Sequence, residues 1–515
     1  MSLCFRSAAI APSLFLAALV AGMSIVSGCS ERAFSEDRRP HVLLISIDTL
    51  RADHLGAYGG LVKTPCLDEL ARRSVVFLEA QAAAPTTLTS HTSLMTGTYP
   101  HRHGVPRNGF SVHPDNVMLA EILQAAGYRT AAFLGSFALS EQFGFDQGFE
   151  LFDETFDQLV TPGQHDQNQR TADRVTDAAI EYAARRWSGP QFLFVHYFDP
   201  HSPYAPPKSL ASRYAREGGP LSSSLADLER AASLHREAVL GRSLPPRSLV
   251  REGLGPELIA SVERPPSPLD RDLMALYAGE VAFIDQEVGR LLRTLEESDW
   301  LEGALVIVTA DHGESFTEHG DFWNHGLWVY QTTVHVPLIL QVPGREQGRR
   351  VSGPVSLVDV VPTILDVLSL KTPQSVEGRS LIPFLDSGKV QAVPVFCEAT
   401  QPFGGESTEG WRNAVKPRCV RSSNYKYVEW PQQSVRQLFD LANDPGEKND
   451  LLRAPSAEHR ERAEALSRLL QDWSRPSAPF ASEIVRERAA EVRQRLEDLG
   501  YLEPDDEADE KRDGK

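Results

Sequence analysis

HVLLISID, residues 41–48, is a short apolar run that ends in an acid, and ALVIVTADHGE, residues 304–314, repeats the pattern far downstream. Each reads as a buried parallel strand that delivers polar residues at its C-terminal end. In open α/β sheets that edge is where sites form. Working outward, further strands are expected at SVVFLEA (74–80), RTAAFLG (129–135), QFLFVHYF (191–198) and VPLILQV (336–342). Helical patterns lie between them, among them LAEILQAAG and ALYAGEVAFIDQEVGRLLRTLEE, the latter with apolar residues at three-to-four spacing and charge on the other face. The order β-α-β-α predicts an α/β fold with a doubly wound, mostly parallel sheet.

The rhythm breaks twice. Residues 205–268 carry Pro pairs, a Ser run and one short helical stretch, and read as an excursion over the sheet, either a lid or a plain insertion. Near residue 390 the pattern turns to short strands, VPVFCEAT, RCVRSSNYKYVEW and RQLFDL, which predict a smaller C-terminal antiparallel subdomain over 391–455. Charged helices follow over 456–503, one of them stopping at Gly500, a natural C-cap. The tail, 504–515, has the composition of disorder.

At 515 residues the chain is ample for an enzyme, and 41% hydrophobic with 24% charged residues is the composition of a folded protein. A net charge of −18 argues against nonspecific affinity for nucleic acid or anionic lipid. An anionic substrate would then need local positive charge, most simply a metal. Arg6 precedes the apolar run SLFLAALVAGMSIV, too short for a membrane span and read as a targeting segment over residues 1–28. VSGC, residues 26–29, resembles the lipobox of bacterial lipoproteins. That resemblance implies a lipid on Cys29, residues 29–39 as a linker, and, since Ser30 follows rather than aspartate, an outer-membrane location facing the periplasm. Cys66, Cys397 and Cys419 have no metal-ligand spacing and are given no role.

Asp48 closes the first strand, and Asp311 and His312 close a late one. Two strand ends that converge on one edge can gather Asp, Asp and His around a divalent cation. Around them the series ISIDTLRADHLGAYG, TSHTSLMTGTYPHRHGV, FVHYFDPHSPYAPP, VTADHGESFTEHG, VHVPLILQVPG, SLVDVVPTILD and QLFDLANDPGEKNDL resembles, block by block and in order over about residues 40–455, the sulfatase branch of the alkaline phosphatase superfamily. The resemblance implies an alkaline-phosphatase-like sheet over 40–390 and an ester hydrolase. It leaves the reaction open, since members of that superfamily cleave sulfate esters, phosphomonoesters, phosphodiesters or phosphonate monoesters, and some transfer phosphoethanolamine.

Counting back from Gly97 aligns Thr87, Leu88, Thr89, Ser90 and His91 with the Cys-x-Pro-Ser-Arg of sulfatases, whose first residue is oxidised to formylglycine. Threonine is not a known substrate for that oxidation, and the proline and arginine are missing. The pattern is closer to the threonine-nucleophile phosphodiesterases, so Thr87 is expected to be the nucleophile, activated by a divalent cation; Thr86 and Thr89 are expected to cap the helix start. By the same resemblance Asp48, Thr87, Asp311 and His312 form one O,O,O,N metal site. The imidazole, with Thr49 where sulfatases have a second Asp, favours Zn²⁺ or Mn²⁺ over Ca²⁺. His201 corresponds to the family histidine that contacts the transferred group or leaving oxygen, a candidate general acid. His325 falls near the family's substrate-contacting lysine and His91 replaces its arginine. A second metal is possible, with Asp199, His201 or His325 as ligands. His54, His101, His103, His319 and His335 are expected in loops or packing.

The expectation is a metal-dependent hydrolase with a threonine nucleophile, acting on a phosphodiester or phosphonate monoester. The alternatives are a sulfatase without formylglycine, a phosphotransferase, and an inactive metal-stabilised binding protein. Substrate and oligomeric state are not legible.

Overall fold

The computed structural model describes residues 39–156, 169–185, 187–216, 266–320, 323–345, 348–390, 393–401 and 411–475, with Phe480, Ser482, Glu483 and Val485. The targeting segment with Cys29, most of the 205–268 excursion, Gly500 and the acidic tail lie outside the described residues. Among the described residues, ten strands build the main body: β1 (Val42–Ile47), β2 (Val75–Phe77), β3 (Ala80–Gln81), β4 (Arg129–Phe133), β5 (Leu151–Asp153), β6 (Gln191–Tyr197), β7 (Leu305–Ala310), β8 (Leu338–Gln341), β9 (Arg349–Val351) and β10 (Val355–Ser356). Eight of them form one sheet in the order β5-β4-β6-β1-β7-β8-β2-β9, and β10 pairs with β3. All pairs in the large sheet are parallel except those that β8 makes with β7 and β2.

The apolar runs at 41–48 and 304–310 became central neighbours because every residue of β1 and β7 is buried. A strand covered on both faces has no use for alternation, which is why these runs are continuous. The expected strands at 74–80, 129–135, 191–198 and 336–342 are all present. Missing from the sequence reading were the three-residue edge strands β5 and β9, too short and too exposed to leave an apolar run.

Two groups of helices cover the sheet. Pro65–Arg72 (α1), Ala172–Ala183, Lys208–Arg216 and Pro268–Glu297 pack with one another; Thr87–Thr96 (α2), Leu119–Ala125 and Val360–Val367 form the other group. The long helix starts at Pro268, earlier than its 275–297 apolar pattern, because Ser267 and Asp270 form a capping box with Pro268 in the first turn.

The C-terminal subdomain is an antiparallel meander of β11 (Val395–Glu398), β12 (Arg418–Ser422), β13 (Tyr425–Trp430) and β14 (Val435–Asp440). Helix Ala457–Trp473 docks on it through Ala463, Leu466 and Leu470 against Val420, Tyr427 and Leu438. Each buried leucine contributes about 1.5–3 kcal/mol, enough to hold a helix whose other face is charged. Among the described residues no helix is long and apolar enough to cross a membrane.

Candidate metal centre and active site

The register of the sheet decides where the acids meet. Ile47 pairs with Ala310 across β1 and β7, so Asp48 and Asp311 leave adjacent strands side by side at one edge. Because β8 runs antiparallel to β7, the segment 311–337 starts and ends at that same edge. A bridge between Ser315 and Asn324 folds this segment back on itself. It brings His325 Nδ1 to 3.2 Å from Glu314 Oε1.

Asp48, Asp311 and His312 are fully buried, and one ligand atom from each lies within 4.8 Å of the others. His312 Nε2 is 3.3 Å from Asp311 Oδ2 and 3.8 Å from Asp48 Oδ1. His312 Nδ1 lies 2.9 Å from the Gly313 carbonyl. A carbonyl can only accept, so Nδ1 carries the proton and Nε2 presents its lone pair to the acids, the arrangement of a metal-ligating histidine. Asp48 Oδ1, Asp311 Oδ2 and His312 Nε2 have no hydrogen-bond partner. Three converging buried lone pairs without donors are costly unless a cation meets them. Burial, then the neighbouring Asp48, push the Asp311 carboxyl well up; burial raises Asp48 also, against the attraction of His201, His91 and His325. The donor set therefore fits a divalent cation, and among the described residues it is the one such cluster.

α2 carries the predicted nucleophile to this cluster. All ten of its residues are buried, and it ends at Gly97, left-handed at φ 67°. Thr87, Ser90 and His91, at three-to-four spacing, share the face turned to the strand ends. Thr87 Oγ1 donates to Asp48 Oδ2 at 3.5 Å, and Ser90 Oγ donates to the Asp311 carbonyl at 2.7 Å. His91 is held at both nitrogens: Nδ1 donates to the Thr87 carbonyl at 2.7 Å, so Nε2 accepts from Ser46 Oγ at 2.8 Å. Burial lowers this ring to about 3, leaving it neutral. Thr86 occupies the N-cap position without a capping bond, and the hydroxyls of Thr86 and Thr89 have no partner. The expected hydroxyl cap is replaced by Asn108, whose Oδ1 accepts from the Leu88 N–H at 2.7 Å.

His201 and His325 stand beside the cluster, with ring centroids 5.2 Å apart and His325 4.5 Å from His312. His201 Nδ1 donates to the Ser202 carbonyl at 2.6 Å. Burial lowers this ring while Asp48 raises it, so the neutral form is favoured over what an exposed histidine would show. Asp199 is turned elsewhere: its carboxylate accepts from the Ala172 N–H at 2.8 Å and is paired with buried Glu280, and it joins no second ligand cluster among the described residues. Of the remaining histidines, His101 packs on Trp473, His103 meets Ser93, His335 meets the Leu78 carbonyl, and His54 and His319 lie in short 3-10 helices, packed against Tyr277 and Tyr330.

Three neighbours of the site escaped the sequence reading. His196 on β6 is fully buried with Nε2 3.6 Å from Asp48 Oδ2 and neither ring nitrogen hydrogen-bonded. A histidine inside the apolar run QFLFVHYF was its only signal. Asn108 left none, because its role depends on the loop returning to α2. Tyr277 donates to the Thr49 carbonyl at 2.8 Å and accepts from the Arg51 N–H at 3.1 Å, which fixes Thr49 at φ 54°.

Sheet and site together define a hydrolase of anionic esters built on the alkaline phosphatase architecture. The comparisons specify the branch. The profile described as Sulfatase matches residues 40–370, and that described as N-sulphoglucosamine sulphohydrolase, C-terminal, matches residues 317–474. The chain belongs to the sulfatase family, hydrolases of sulfate or phosphate esters that use a divalent metal ion. It is 24% identical to the N-acetylglucosamine-6-O-sulfatase of Bacteroides thetaiotaomicron over 90% of each chain. It is 26% identical to the multifunctional alkaline phosphatase superfamily protein PehA of Trinickia caryophylli, over 81% of this chain and 92% of that one. The phosphonate monoester hydrolase of Agrobacterium radiobacter superposes with a TM-score of 0.64 at 23% identity, covering 84% of this chain and 95% of the other, a likeness of fold.

Proposed function

We propose that this chain hydrolyses a phosphodiester or phosphonate monoester with Thr87 as nucleophile. The observation that carries the reading is the hydroxyl of Thr87, on the first turn of a buried helix, beside the three partnerless lone pairs of Asp48, Asp311 and His312. These four residues would hold a divalent cation, and the imidazole among them favours Zn²⁺ or Mn²⁺ over Ca²⁺. Such a cation supplies Lewis-acid stabilisation of negative charge and lowers the pKa of a hydroxyl next to it.

The chain's own residues do the rest. Asp48 Oδ2 accepts the hydrogen bond of the Thr87 hydroxyl and so orients it. Ser90 and His91 tie α2 to the ends of β7 and β1, which keeps that hydroxyl in place. His201, with Nδ1–H given to Ser202, offers Nε2 to the reacting group; an arriving anion raises its pKa and lets it pass a proton to the leaving oxygen. His325, next to Glu314, stands where it can contact the non-reacting part of the substrate.

Sulfuric ester hydrolysis by the same threonine is the second reading, favoured by the relative named for N-acetylglucosamine-6-O-sulfate chemistry. Chelated protein reloaded with Zn²⁺, Mn²⁺ or Ca²⁺ and offered bis-p-nitrophenyl phosphate, a phenylphosphonate monoester, p-nitrophenyl phosphate and p-nitrophenyl sulfate separates the two. Diester or phosphonate turnover restored by Zn²⁺ or Mn²⁺ is expected; turnover of the sulfate alone would reverse the choice. We also propose a lipid anchor on Cys29 and an outer-membrane location, motivated by VSGC; mass analysis of the mature N-terminus that showed an unmodified residue would dismiss both.

A further inference from the structure

Cys397 on β11 and Cys419 on β12 are direct partners in the antiparallel register, and both are buried, 1% and 3% exposed. Residues so paired share a face and have Cα atoms about 4.5–5.5 Å apart, inside the range of about 4.4–6.8 Å that a disulfide spans. The two thiols share a hydrogen bond, and Cys419 Sγ lies 3.9 Å from the Val329 carbonyl, to which it donates. We propose that Cys397 and Cys419 form a redox pair, closing to a cross-strand disulfide by exchange with a small-molecule or protein disulfide.

The surroundings set the order of events. Burial opposes ionisation of Cys419, yet the hydrogen bond from Cys397 and the ammonium of Lys426 hold its thiol below the ordinary value; burial and Cys419 push the Cys397 thiol up. Cys419 is thus the first to ionise and to attack. Its thiolate displaces one thiolate from the incoming disulfide, giving a mixed disulfide. Cys397, losing its proton to the released thiolate, then attacks the Cys419 sulfur and expels the second thiolate. Two protein thiols and one disulfide become one protein disulfide and two thiols. Because both sulfurs are closed off in the finished subdomain, the exchange takes place once β11, β12 and β13 have paired, with Lys426 near Cys419, but before the pair is covered.

The pair also touches the segment that carries part of the site. Val329 sits between Trp328 and Tyr330 in the same segment, 311–337, that carries His312 and His325. Trp328 packs edge-on against Trp430 at 5.3 Å, and the Tyr330 hydroxyl donates to Gln437 Oε1 at 2.7 Å. Disulfide formation removes the S–H donor from the Val329 carbonyl and ties β11 to β12 beneath that seat.

The test refolds the full chain in mixtures of oxidised and reduced glutathione, traps thiols with N-ethylmaleimide, digests without reductant and maps the peptides. The expected result is that Cys397 and Cys419 disappear together into one linked peptide while Cys66 stays alkylated, and that the oxidised chain melts at a higher temperature than the reduced one. Cys419→Ser should lose both the linked peptide and the redox dependence of melting. If that variant fails to fold, the wild-type map decides alone. Alkylation of both cysteines at every glutathione ratio, a stable glutathione adduct on either, or linkage of either to another cysteine would overturn the proposal.

Discussion

Thr49 shows how much a single position can tune this site. It is a β-branched residue held at φ 54°, its N–H donating to Asp311 Oδ1 at 3.2 Å. Aspartate tolerates that backbone region better and would add a hard oxygen donor. Thr49→Asp should therefore shift ion preference toward Ca²⁺, lowering by about tenfold or more the Ca²⁺ concentration that raises the melting temperature. A Ca²⁺ response no different from wild type would separate Thr49 from the metal. What was legible at this scale were residues at strand ends: an acid closing an apolar run is visible in one dimension, and Asp48 and Asp311 meet because their strands pair in register. His196 and Asn108 were not, since each acts on a group distant in sequence, Asp48 for the first and the Leu88 N–H for the second.

At the scale of elements, α2 is the part on which the site depends. Its N-terminus is capped from outside by Asn108, so Asn108→Ala should cost about 1–2 kcal/mol in chemical denaturation and reduce turnover, while Asn108→Asp, which keeps the acceptor, should retain most of the stability. Equal stability of the alanine variant and wild type would refute the cap. At the other end, Gly97 is left-handed, and an added Cβ would meet Val376 Cγ1 at 3.0 Å and Val361 Cβ at 3.2 Å. The alignment of this helix was readable from its threonine and glycine pattern; its cap was not, because Thr86 looks like a capping residue and its hydroxyl makes no such bond. The long helix Pro268–Glu297 makes a pH-dependent contribution through Glu280, which accepts from the Ala205 N–H at 2.6 Å and faces Asp199. Burial, then Asp199, push Glu280 well up, and burial pushes Asp199 to about 6. A carboxyl with a raised folded pKa stabilises below its unfolded pKa and loses that contribution as pH rises through the folded value, by about 1.4 kcal/mol per unit. Glu280→Gln, which cannot ionise, should gain in melting temperature over wild type as pH rises from the ordinary carboxylate range toward Glu280's raised folded value. A difference constant from pH 5 to 8 would count against a shared proton.

Among the described residues, the eight-stranded sheet and the C-terminal meander are joined beneath one segment. Arg421 on β12 pairs with Glu79, the Glu398 N–H donates to the Ala83 carbonyl, and the Gln331 N–H donates to Glu447 Oε2. Glu447 is itself paired with Lys426 at 2.7 Å, both essentially inaccessible to solvent. Removing one member of such a pair leaves an uncompensated buried charge, so Lys426→Met should cost about 3–5 kcal/mol in urea unfolding. It should also speed hydrogen exchange at Gln331; unchanged exchange there would mean the subdomain does not seat the segment. The division into a parallel body and an antiparallel meander was legible from the change of apolar pattern near residue 390. The reversal of β8 was not, because an apolar run carries no sign of its direction, and that reversal returns the segment 311–337 to the edge where Asp48 and Asp311 meet.

Thr87 as nucleophile is put to the test by comparing metal-reloaded wild type, Thr87→Ser and Thr87→Ala on whichever ester the wild type turns over, with metal retention checked in each. Loss of about 10⁴-fold or more in kcat/KM for the alanine variant, with substantial recovery in the serine variant, is the predicted result. Turnover by Thr87→Ala within tenfold of wild type, at equal metal content, would contradict it.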